Sequence, residues 1–195
     1  MSALAAAIQK FTPTGNARRV GHIGLECALT EMHLVQLAAD NAGWIAVHAM
    51  ASLPYPVARE ELLATPTILR TLVRQAFSGQ HFKGRRVVTT LPASDTHIMP
   101  VNYRVASGQS ADAALLAVVG ERLEGELAEY VIDYLPVRAE KNSEERSAIV
   151  AVARRDTVIA YLEWLRKGGL EVDRLDIGPA AIRRLISALN RDKGH

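Results

Sequence analysis

The stretch GHIGLECALTEMHLVQLA, residues Gly21–Ala38, decides how the chain folds, because two runs of alternating residues flank a short polar break. In the first run, Ile23 and Leu25 alternate with small or polar neighbours. In the second run, Met32, Leu34, Gln36 and Ala38 alternate with His33, Val35 and Leu37. A period of two is typical of β-strands, so the stretch predicts a largely buried β-hairpin that turns at Ala28–Glu31.

A third strand is predicted over Trp44–Met50, the run WIAVHAM. It follows Asp40–Gly43, where an asparagine and a glycine tolerate the positive φ of a tight turn. The chain therefore opens with three consecutive antiparallel strands. We expect Trp44 and Trp164 to anchor the core or its rim, and Cys27 to be buried and chemically inert in the first strand.

The bulk composition is that of an ordinary soluble protein. The 195 residues include 23 basic and 21 acidic side chains, which gives a formal net charge of +2. That balance argues against a dedicated nucleic-acid-binding protein, which usually carries a concentrated basic face. The single cysteine, Cys27, excludes an internal disulfide and fits a reducing compartment. No apolar run reaches the roughly 20 residues of a membrane span, and we expect no cleaved leader.

Helix and strand patterns alternate after the three strands. Helical spacing within Val57–Phe77 predicts a helix with Thr65 as its N-cap, and a strand follows at Arg85–Leu91. Pro100 lacks the donor that a central strand needs, so we expect the strand His97–Val105 at a sheet edge.

The later part of the chain is also predicted to alternate. The uniformly apolar strand Ser147–Ala153 is expected at the centre of its sheet, beside Tyr130–Val137. Asp156 is expected to cap a helix that ends at Gly168, and Pro179 opens the last helix. The predicted apolar stripes are Leu116, Val119, Leu123 and Leu127 in Asp112–Leu127, then Val158, Ile159, Leu162 and Leu165, then Ile182, Leu185, Ile186 and Leu189.

Four phrases spread over most of residues 21–189 resemble the PilM family of pilus-assembly proteins, relatives of FtsA in the actin-like superfamily. They are IGLECALTEMHLVQL (Ile23–Leu37), VVTTLPAS (Val87–Ser94), VIDYLPV (Val131–Val137) and AIVAVARRDTVIAYLEWLRKGGLEVDRLDIGPAAIRRL (Ala148–Leu185). The last phrase has the family's order of a buried strand, a polar cap, a tyrosine-bearing helix, a Gly-Leu turn and a strand that ends in aspartate.

The resemblance implies an α/β fold with a mixed sheet. A ribonuclease-H-like, actin-like subdomain at 21–95 and 154–195 is interrupted by an inserted strand–helix–strand–strand subdomain at 96–153, and residues 1–20 are expected to form a flexible arm. Family members normally continue into a second ribonuclease-H-like half. By resemblance, we expect the sequence to correspond to the first half only, as a truncated chain or as a natural half.

The resemblance also implies a phosphate-binding turn in the first hairpin, where the family has the pattern I-G-x-D-x-G followed by small hydroxyl residues. The aspartate position is Glu26, the glycine position is Ala28, the later polar position is His33, and Thr30 preserves a hydroxyl. Glycine lets a backbone approach phosphate closely, and alanine does not offer the same freedom. We therefore expect these positions to be degenerate, with no bound cofactor and no productive ATP binding.

Other residues that could hold ligands give no recognisable site. The tripeptide Asp176–Gly178 imitates a second phosphate loop, but Pro179 and the helical pattern after it disagree with the hairpin that such a loop needs. The six histidines form no i, i+4 pair on a predicted helix, so we expect no metal site. The sequence contains no Walker loop, G-x-G-x-x-G or G-x-S-x-G pattern.

By resemblance, the protein is expected to be a non-catalytic cytoplasmic scaffold of a type IV pilus or type II secretion-like inner-membrane platform. Its implied partner is a cytoplasmic segment of a PilN-like membrane protein, docking between the flanking subdomain and the insert and holding the scaffold at the inner membrane. Self-association is a further expectation, because an exposed edge strand such as His97–Val105 invites pairing with another chain.

Two enzymatic alternatives remain open at this point. A ribonuclease-H-like nuclease needs a carboxylate cluster that holds two metal ions, and Glu26 and Asp176 supply two of its members. The predicted helix from Thr65 to Phe77 offers no further acid, and the near-neutral charge disfavours a nucleic-acid groove. The other alternative is the N-terminal half of an actin-type ATPase, which needs a second half.

Overall fold

The computed structural model describes residues 19–41, 45–137 and 145–191. The described residues form, in order, β1 (Arg19–Cys27), β2 (Glu31–Ala39), β3 (Ile45–Pro54), α1 (Arg59–Ala64), α2 (Pro66–Gly79), β4 (Arg86–Thr90), β5 (His97–Arg104), α3 (Ala111–Gly120), β6 (Tyr130–Val137), β7 (Glu145–Arg154), α4 (Arg155–Lys167), β8 (Glu171–Asp176) and α5 (Gly178–Arg191). Single 3-10 turns lie at Ala93–Asp95 and Leu127–Glu129.

Two expectations fall wholly or partly on residues outside the described ranges. Trp44 lies outside them, as does the predicted arm up to residue 18. The last two residues assigned to the arm, Arg19 and Val20, instead belong to β1. Arg19 pairs with Ala39 and Val20 pairs with Ala38, so the second strand of the hairpin is long enough to extend the first.

The first sheet has five strands in the order β3–β2–β1–β4–β8. Strands β1, β2 and β3 are antiparallel neighbours, whereas β4 runs parallel to β1 and β8 runs parallel to β4. The predicted hairpin, the third strand and the α/β class with a mixed sheet are confirmed. One face of the hairpin is buried, namely Ile23, Leu25 and Cys27 from β1 and Met32, Leu34, Gln36 and Ala38 from β2.

Gln36 is the polar member of this buried face, with 1% of its surface exposed. Its Nε2 donates to the carbonyl oxygens of Gly21 and Lys83, each at 2.8 Å. Its Oε1 accepts from the backbone N–H of Lys83, also at 2.8 Å. The amide therefore replaces the hydrogen bonds that water would make, which is the condition for burying a polar side chain.

Helices α2 and α4 approach each other closely at the end of α4. A Cβ on Gly168 would lie 2.4 Å from Cδ2 of Leu69, so the absence of a side chain permits this contact. Arg70 of α2 donates to the carbonyl oxygen of Lys167, at 2.9 Å from Nη2 and 3.3 Å from Nε. This bond satisfies a carbonyl that the end of a helix otherwise leaves without an intrahelical partner.

The buried stripe of α4 differs from the predicted one. Ile159 is 48% exposed and Leu162 is half-buried. The buried residues of α4 are Val158, Tyr161, Trp164 and Leu165. Trp164 explains the difference, because its Nε1 donates to the carbonyl oxygen of Leu62 at 3.0 Å and turns the indole side of the helix inward. The aromatic residues, which the apolar stripe omitted, therefore decide which side of α4 is buried.

The starts of two helices also differ in detail from the prediction. Helix α4 begins at Arg155 directly after β7 ends, so Asp156 lies inside the first turn and not at the N-cap. A negative charge there still complements the helix dipole. Thr65 does occupy the N-cap position of α2, but its side chain makes no capping hydrogen bond, and Pro66 starts the helix.

The second sheet has three strands in the order β5–β7–β6, with both pairings antiparallel. The predicted edge position of β5 and central position of β7 are confirmed. The core of this sheet and helix α3 consists of Met99, Val101, Tyr103, Ala114, Leu115, Val119, Ala148, Val150 and Val152. The Oγ of Ser110 accepts from the N–H of Ala113 at 3.2 Å and caps α3.

The prediction of a helix over Asp112–Leu127 was wrong in its length and in its stripe. Helix α3 ends at Gly120, and the chain turns back through Gly125, whose φ is +86°. Leu116 is 36% exposed, whereas the neighbouring Leu115 is fully buried. Two glycines within six residues weaken helix propagation by about 1 kcal/mol each, which favours the observed turn.

The described contacts divide the chain into two compact units. Among the described residues, the first unit comprises those up to Thr90 together with those from Leu162 onward, and the second comprises those between Leu91 and Tyr161. The predicted boundaries of the insert were 96 and 153.

Helix α5 begins at Gly178 with Pro179 in its first turn, and its apolar residues Ile182, Leu185 and Ile186 are more than half exposed.

Replacing Gln36 with leucine removes three buried hydrogen bonds while keeping the side-chain size similar. Because the carbonyls of Gly21 and Lys83 and the N–H of Lys83 lose their partner, we expect the free energy of unfolding to fall by about 2–4 kcal/mol. Urea denaturation measures this change. Gln75→Leu on the exposed side of α2 is the matched control, and equal stability of the two variants contradicts the proposed role of Gln36.

Leu165→Ala tests the observed rotation of α4. Leu165 is fully buried, so its truncation is expected to lower the free energy of unfolding by about 2–5 kcal/mol. Ile159→Ala, on the exposed side of the same helix, is expected to change it by less than about 1 kcal/mol. Thermal melts followed by circular dichroism compare the two variants, and a larger effect at Ile159 contradicts the observed orientation.

Candidate functional site

The turn of the first hairpin holds the degenerate phosphate-loop positions. The N–H of Ala28 donates to the carbonyl oxygen of Glu31 at 3.0 Å and closes the turn. The carbonyl oxygen of Thr30 accepts from the N–H of Tyr55 at 2.8 Å. Leu29, at the tip, is 75% exposed. Backbone hydrogen bonds therefore close the turn and connect it to Tyr55, directly after β3. The tip of the turn carries an apolar side chain.

Five polar residues form a row across the first sheet, which we call the polar row: Ser52, His33, Glu26, Thr90 and Asp176. Glu26 pairs with His33, and His33 pairs with Ser52. Leu25 pairs with Thr89, so the next residues, Glu26 and Thr90, are level, and Thr90 pairs with Asp176. Paired residues of neighbouring strands point to the same face, which puts all five side chains on the face opposite Leu25.

His33 makes local polar contacts within this row. Its Nδ1 lies 2.7 Å from Oγ of Ser52, and its Nε2 lies 3.6 Å from Oε1 of Glu31. The imidazole is partly exposed and is held between a hydroxyl and a carboxylate. It is therefore oriented along the sheet by contacts with β2 and β3.

Asp176 is the least exposed charged group of the row, with a side-chain exposure of 13%. Its Oδ1 accepts from the N–H of Ile177 at 2.8 Å, and Arg184 of α5 forms an ion pair with Oδ2. The positive charge of Arg184 therefore balances the negative charge of Asp176, between β8 and the helix that follows it. The tripeptide Asp176–Gly178 thus leads into α5 and not into a hairpin.

The two carboxylates considered for a nuclease lie on the same face but on strands that are not neighbours. Strand β4 separates Glu26 on β1 from Asp176 on β8, which puts their backbones about 10 Å apart. Within the ranges 19–41, 45–137 and 145–191, no group of three His, Cys, Asp or Glu side chains is arranged to hold a metal ion.

Tyr55 lies at the base of the hairpin turn, where its hydroxyl oxygen is buried. Burial raises the pKa of the Tyr55 hydroxyl above its ordinary value of 10.0, and the nearby Cys27 thiol raises this pKa further, while Arg59 opposes the change. Cys27 is 8% exposed, as expected for its strand. The sequence alone does not indicate this contact, because Tyr55 follows β3 directly and lies far from Cys27 along the chain.

The polar row also contains two residues that sequence reasoning missed, Ser52 and Thr90. Glu26 and His33 were considered because they occupy degenerate phosphate-loop positions, and Asp176 because its tripeptide imitates a second such loop. Ser52 and Thr90 join them through strand register alone, and register cannot be read from an isolated strand.

Tyr55→Phe is expected to change the alkaline stability of the protein. Because the folded state raises the pKa of Tyr55, the unfolded state releases this proton first, and the free energy of unfolding falls as the pH rises above 10.0. Urea denaturation between about pH 9 and about pH 11 should therefore show a steeper loss for the parent than for Tyr55→Phe. Equal slopes contradict the buried environment of this hydroxyl.

None of the helices in the described part of the chain combines the length and the apolar character needed to cross a membrane. No protein-family model and no curated protein matches the sequence.

Comparison with solved structures gives several matches, of which two are described. A chain of the PilM–PilN type IV pilus biogenesis complex matches with a TM-score of 0.64 and 26% identity, over 81% of this chain and 47% of that one. The cytoplasmic domain of EpsL, an inner membrane component of the type II secretion system of Vibrio cholerae, matches with a TM-score of 0.48 and 19% identity, over 80% of this chain and 56% of that one.

The chain thus spans about half the length of the solved structures that it matches. The match to the PilM–PilN complex covers most of this chain, with its mixed five-stranded sheet and its helices. The resemblance noted in the sequence is confirmed, and the chain has a PilM-like, actin-like fold.

Proposed function

We propose that the chain is a non-catalytic scaffold component of a type IV pilus or type II secretion-like assembly platform. The observation that carries this proposal is the likeness to a chain of the PilM–PilN complex, at 26% identity over 81% of this chain. Since the chain spans 47% of that relative, the proposed role concerns the part of the fold that they share.

The proposed partner is a short cytoplasmic segment of a PilN-like inner-membrane protein. This assignment extends to the present chain what the name of the matched complex states about its own two components. We place the scaffold in the cytoplasm and at the inner membrane, held there by its partner. Docking of a short segment onto a folded surface needs apolar contact area more than reactive groups.

The polar row supports a non-catalytic role. Metal-dependent cleavage uses carboxylates that converge on ions about 4 Å apart, whereas Glu26 and Asp176 lie on strands separated by β4. Asp176 is also compensated by Arg184. At the hairpin turn, Ala28 replaces the family's glycine and Leu29 occupies the tip, so the turn offers little to a phosphate. We infer that neither ATP nor a metal ion is a cofactor of this chain.

The proposal is tested with a labelled peptide that comprises the cytoplasmic segment of the PilN-like protein from the same genome. Fluorescence anisotropy should show saturable binding to the parent, and a scrambled peptide of the same composition should not bind. Glu26→Gln is expected to bind the peptide as the parent does, because a scaffold does not need this carboxylate.

The same samples distinguish the enzymatic alternatives. Calorimetry with ATP and magnesium is expected to detect no micromolar binding, and incubation with RNA or DNA and a divalent cation is expected to leave the substrate intact. Metal-dependent cleavage by the parent that is lost in Glu26→Gln would overturn the scaffold role in favour of a nuclease. Micromolar ATP binding would favour an actin-type ATPase.

A further inference from the structure

The charges of the chain are unevenly distributed along the sequence, although the net charge is only +2. The 33 residues from Leu62 to Ser94 contain no aspartate or glutamate, and they contain five arginines and lysines. In contrast, the 34 residues from Asp112 to Glu145 contain nine acidic and three basic residues. The near balance of the whole chain therefore conceals one strongly basic segment.

The fold adds two further cations to this basic segment. Arg70 of α2 donates to the carbonyl oxygen of Lys167, so α2 lies against the end of α4. The guanidinium of Arg85 lies 4.4 Å from the ring centre of Phe77, which brings the loop after α2 to the same place. The resulting group of seven exposed side chains, which we call the basic surface, consists of Arg70, Arg74, Lys83, Arg85, Arg86, Arg166 and Lys167.

Two carboxylates reduce the charge of the basic surface. Nζ of Lys167 lies 3.8 Å from Oε2 of Glu163, and Nε of Arg86 lies 3.8 Å from Oε2 of Glu171. All four side chains are more than half exposed, and exposed ion pairs are weak. Seven cations and two carboxylates leave a formal charge of +5 on this surface, which exceeds the net charge of the whole chain.

Backbone contacts hold the basic loop after α2 in place. The side-chain amide of Gln36 bonds both the N–H and the carbonyl oxygen of Lys83. The N–H of Glu171 donates to the carbonyl oxygen of Arg85. These contacts use the backbone of the loop, so its position is fixed while the side chains of Lys83 and Arg85 stay exposed to solvent.

Helix stability explains only part of this charge. Arg166 and Lys167 lie in the last turn of α4, where a cation complements the helix dipole. The last turn of α2 contains no basic residue, and Lys83, Arg85 and Arg86 follow α2 outside any helix. The loop therefore carries more positive charge than the helices require.

We propose that the basic surface binds the anionic headgroups of a phospholipid bilayer, so that the chain contacts the membrane directly as well as through a protein partner. A bilayer is favoured over other anions because the proposed function, on which this choice rests, places the chain at an inner membrane. Each lysine or arginine near an anionic bilayer strengthens binding by about fivefold, and the effect falls off within a Debye length.

An aromatic ring accompanies the cations of this surface. Phe82 is partly exposed directly beside Lys83, and its ring centre lies 5.2 Å from that of Phe77. Segments that lie in the membrane interface commonly combine basic side chains with aromatic or other apolar ones. The loop therefore has the composition of a segment that contacts headgroups.

Co-sedimentation with phospholipid vesicles tests this proposal on the chain alone. Vesicles of equal parts phosphatidylglycerol and phosphatidylcholine should bind the parent, and vesicles of phosphatidylcholine should not. Arg74→Gln combined with Lys83→Gln should lower the partition coefficient by about twentyfold, because two cations are removed. Raising the ionic strength from about 0.1 M to about 1 M shortens the Debye length from about 10 Å to about 3 Å and should abolish binding of the parent.

The matched control is Arg122→Gln combined with Arg146→Gln. It removes the same charge from exposed positions of the second unit, and it should bind vesicles as the parent does. Circular dichroism and thermal melts check that each variant is folded, and Arg166→Gln, with an expected loss of about fivefold, serves if the first double variant does not fold. Equal binding of the parent to both kinds of vesicle overturns the proposal, and so does an equal loss in the two double variants.

Two further measurements separate this surface from the other anions and from the protein partner. A DNA duplex that binds the parent but not the Arg74 and Lys83 double variant, with no vesicle binding by the parent, assigns the surface to nucleic acid and rejects the bilayer. Binding of the PilN-like peptide by a parent that does not bind anionic vesicles rejects the bilayer contact alone. Vesicle binding that the double variant loses, without peptide binding by the parent, supports the bilayer contact and rejects the proposed protein partner.

Discussion

The buried amide of Gln36 joins parts of the first sheet that lie far apart in the sequence. Through Lys83 it holds the segment that leads into β4, and through Gly21 it holds the start of β1. His48 of β3 contributes in the same place, with Nε2 3.0 Å from the carbonyl oxygen of His81. Strand β4 is parallel to β1 and cannot be reached by a tight turn, and Gln36 contacts the backbone of Lys83 in the segment that precedes it.

The segment that leads into β4 also contacts β8 and α2. The N–H of Glu171 donates to the carbonyl oxygen of Arg85 at 2.9 Å, which starts β8 beside β4. The guanidinium of Arg85 lies 4.4 Å from the ring centre of Phe77, so the same segment also contacts the end of α2. The entry to β4 is therefore the point where β2, β8 and α2 are held together. A polar residue on a buried face is costly in isolation, and here it defines register.

The sequence predicted those parts of the fold that depend on local pattern. Period-two alternation located β1 and β2, and the uniformly apolar β7 and the proline of β5 predicted centre and edge correctly. The same reasoning misjudged α3, where glycines end the helix early, and α4, where Trp164 outweighs Ile159. In both cases tertiary packing chose among apolar residues that a helical stripe treats alike. The apolar stripe of α5 is exposed, which shows the same limit of the method: amphipathicity predicts an apolar helix face but not what covers that face.

The candidate site was predictable only in part, for a reason that also bears on function. Motifs pointed to Glu26, His33 and Asp176, yet their alignment with Ser52 and Thr90 follows from pairings between strands far apart in sequence. In this alignment the polar groups contact neighbouring side chains: His33 forms a hydrogen bond with Ser52, and Asp176 forms an ion pair with Arg184. Catalytic groups must instead be directed at a substrate. The side chains that strand pairing brings to one face therefore make contacts within the fold, and a motif read on a single strand cannot predict those contacts.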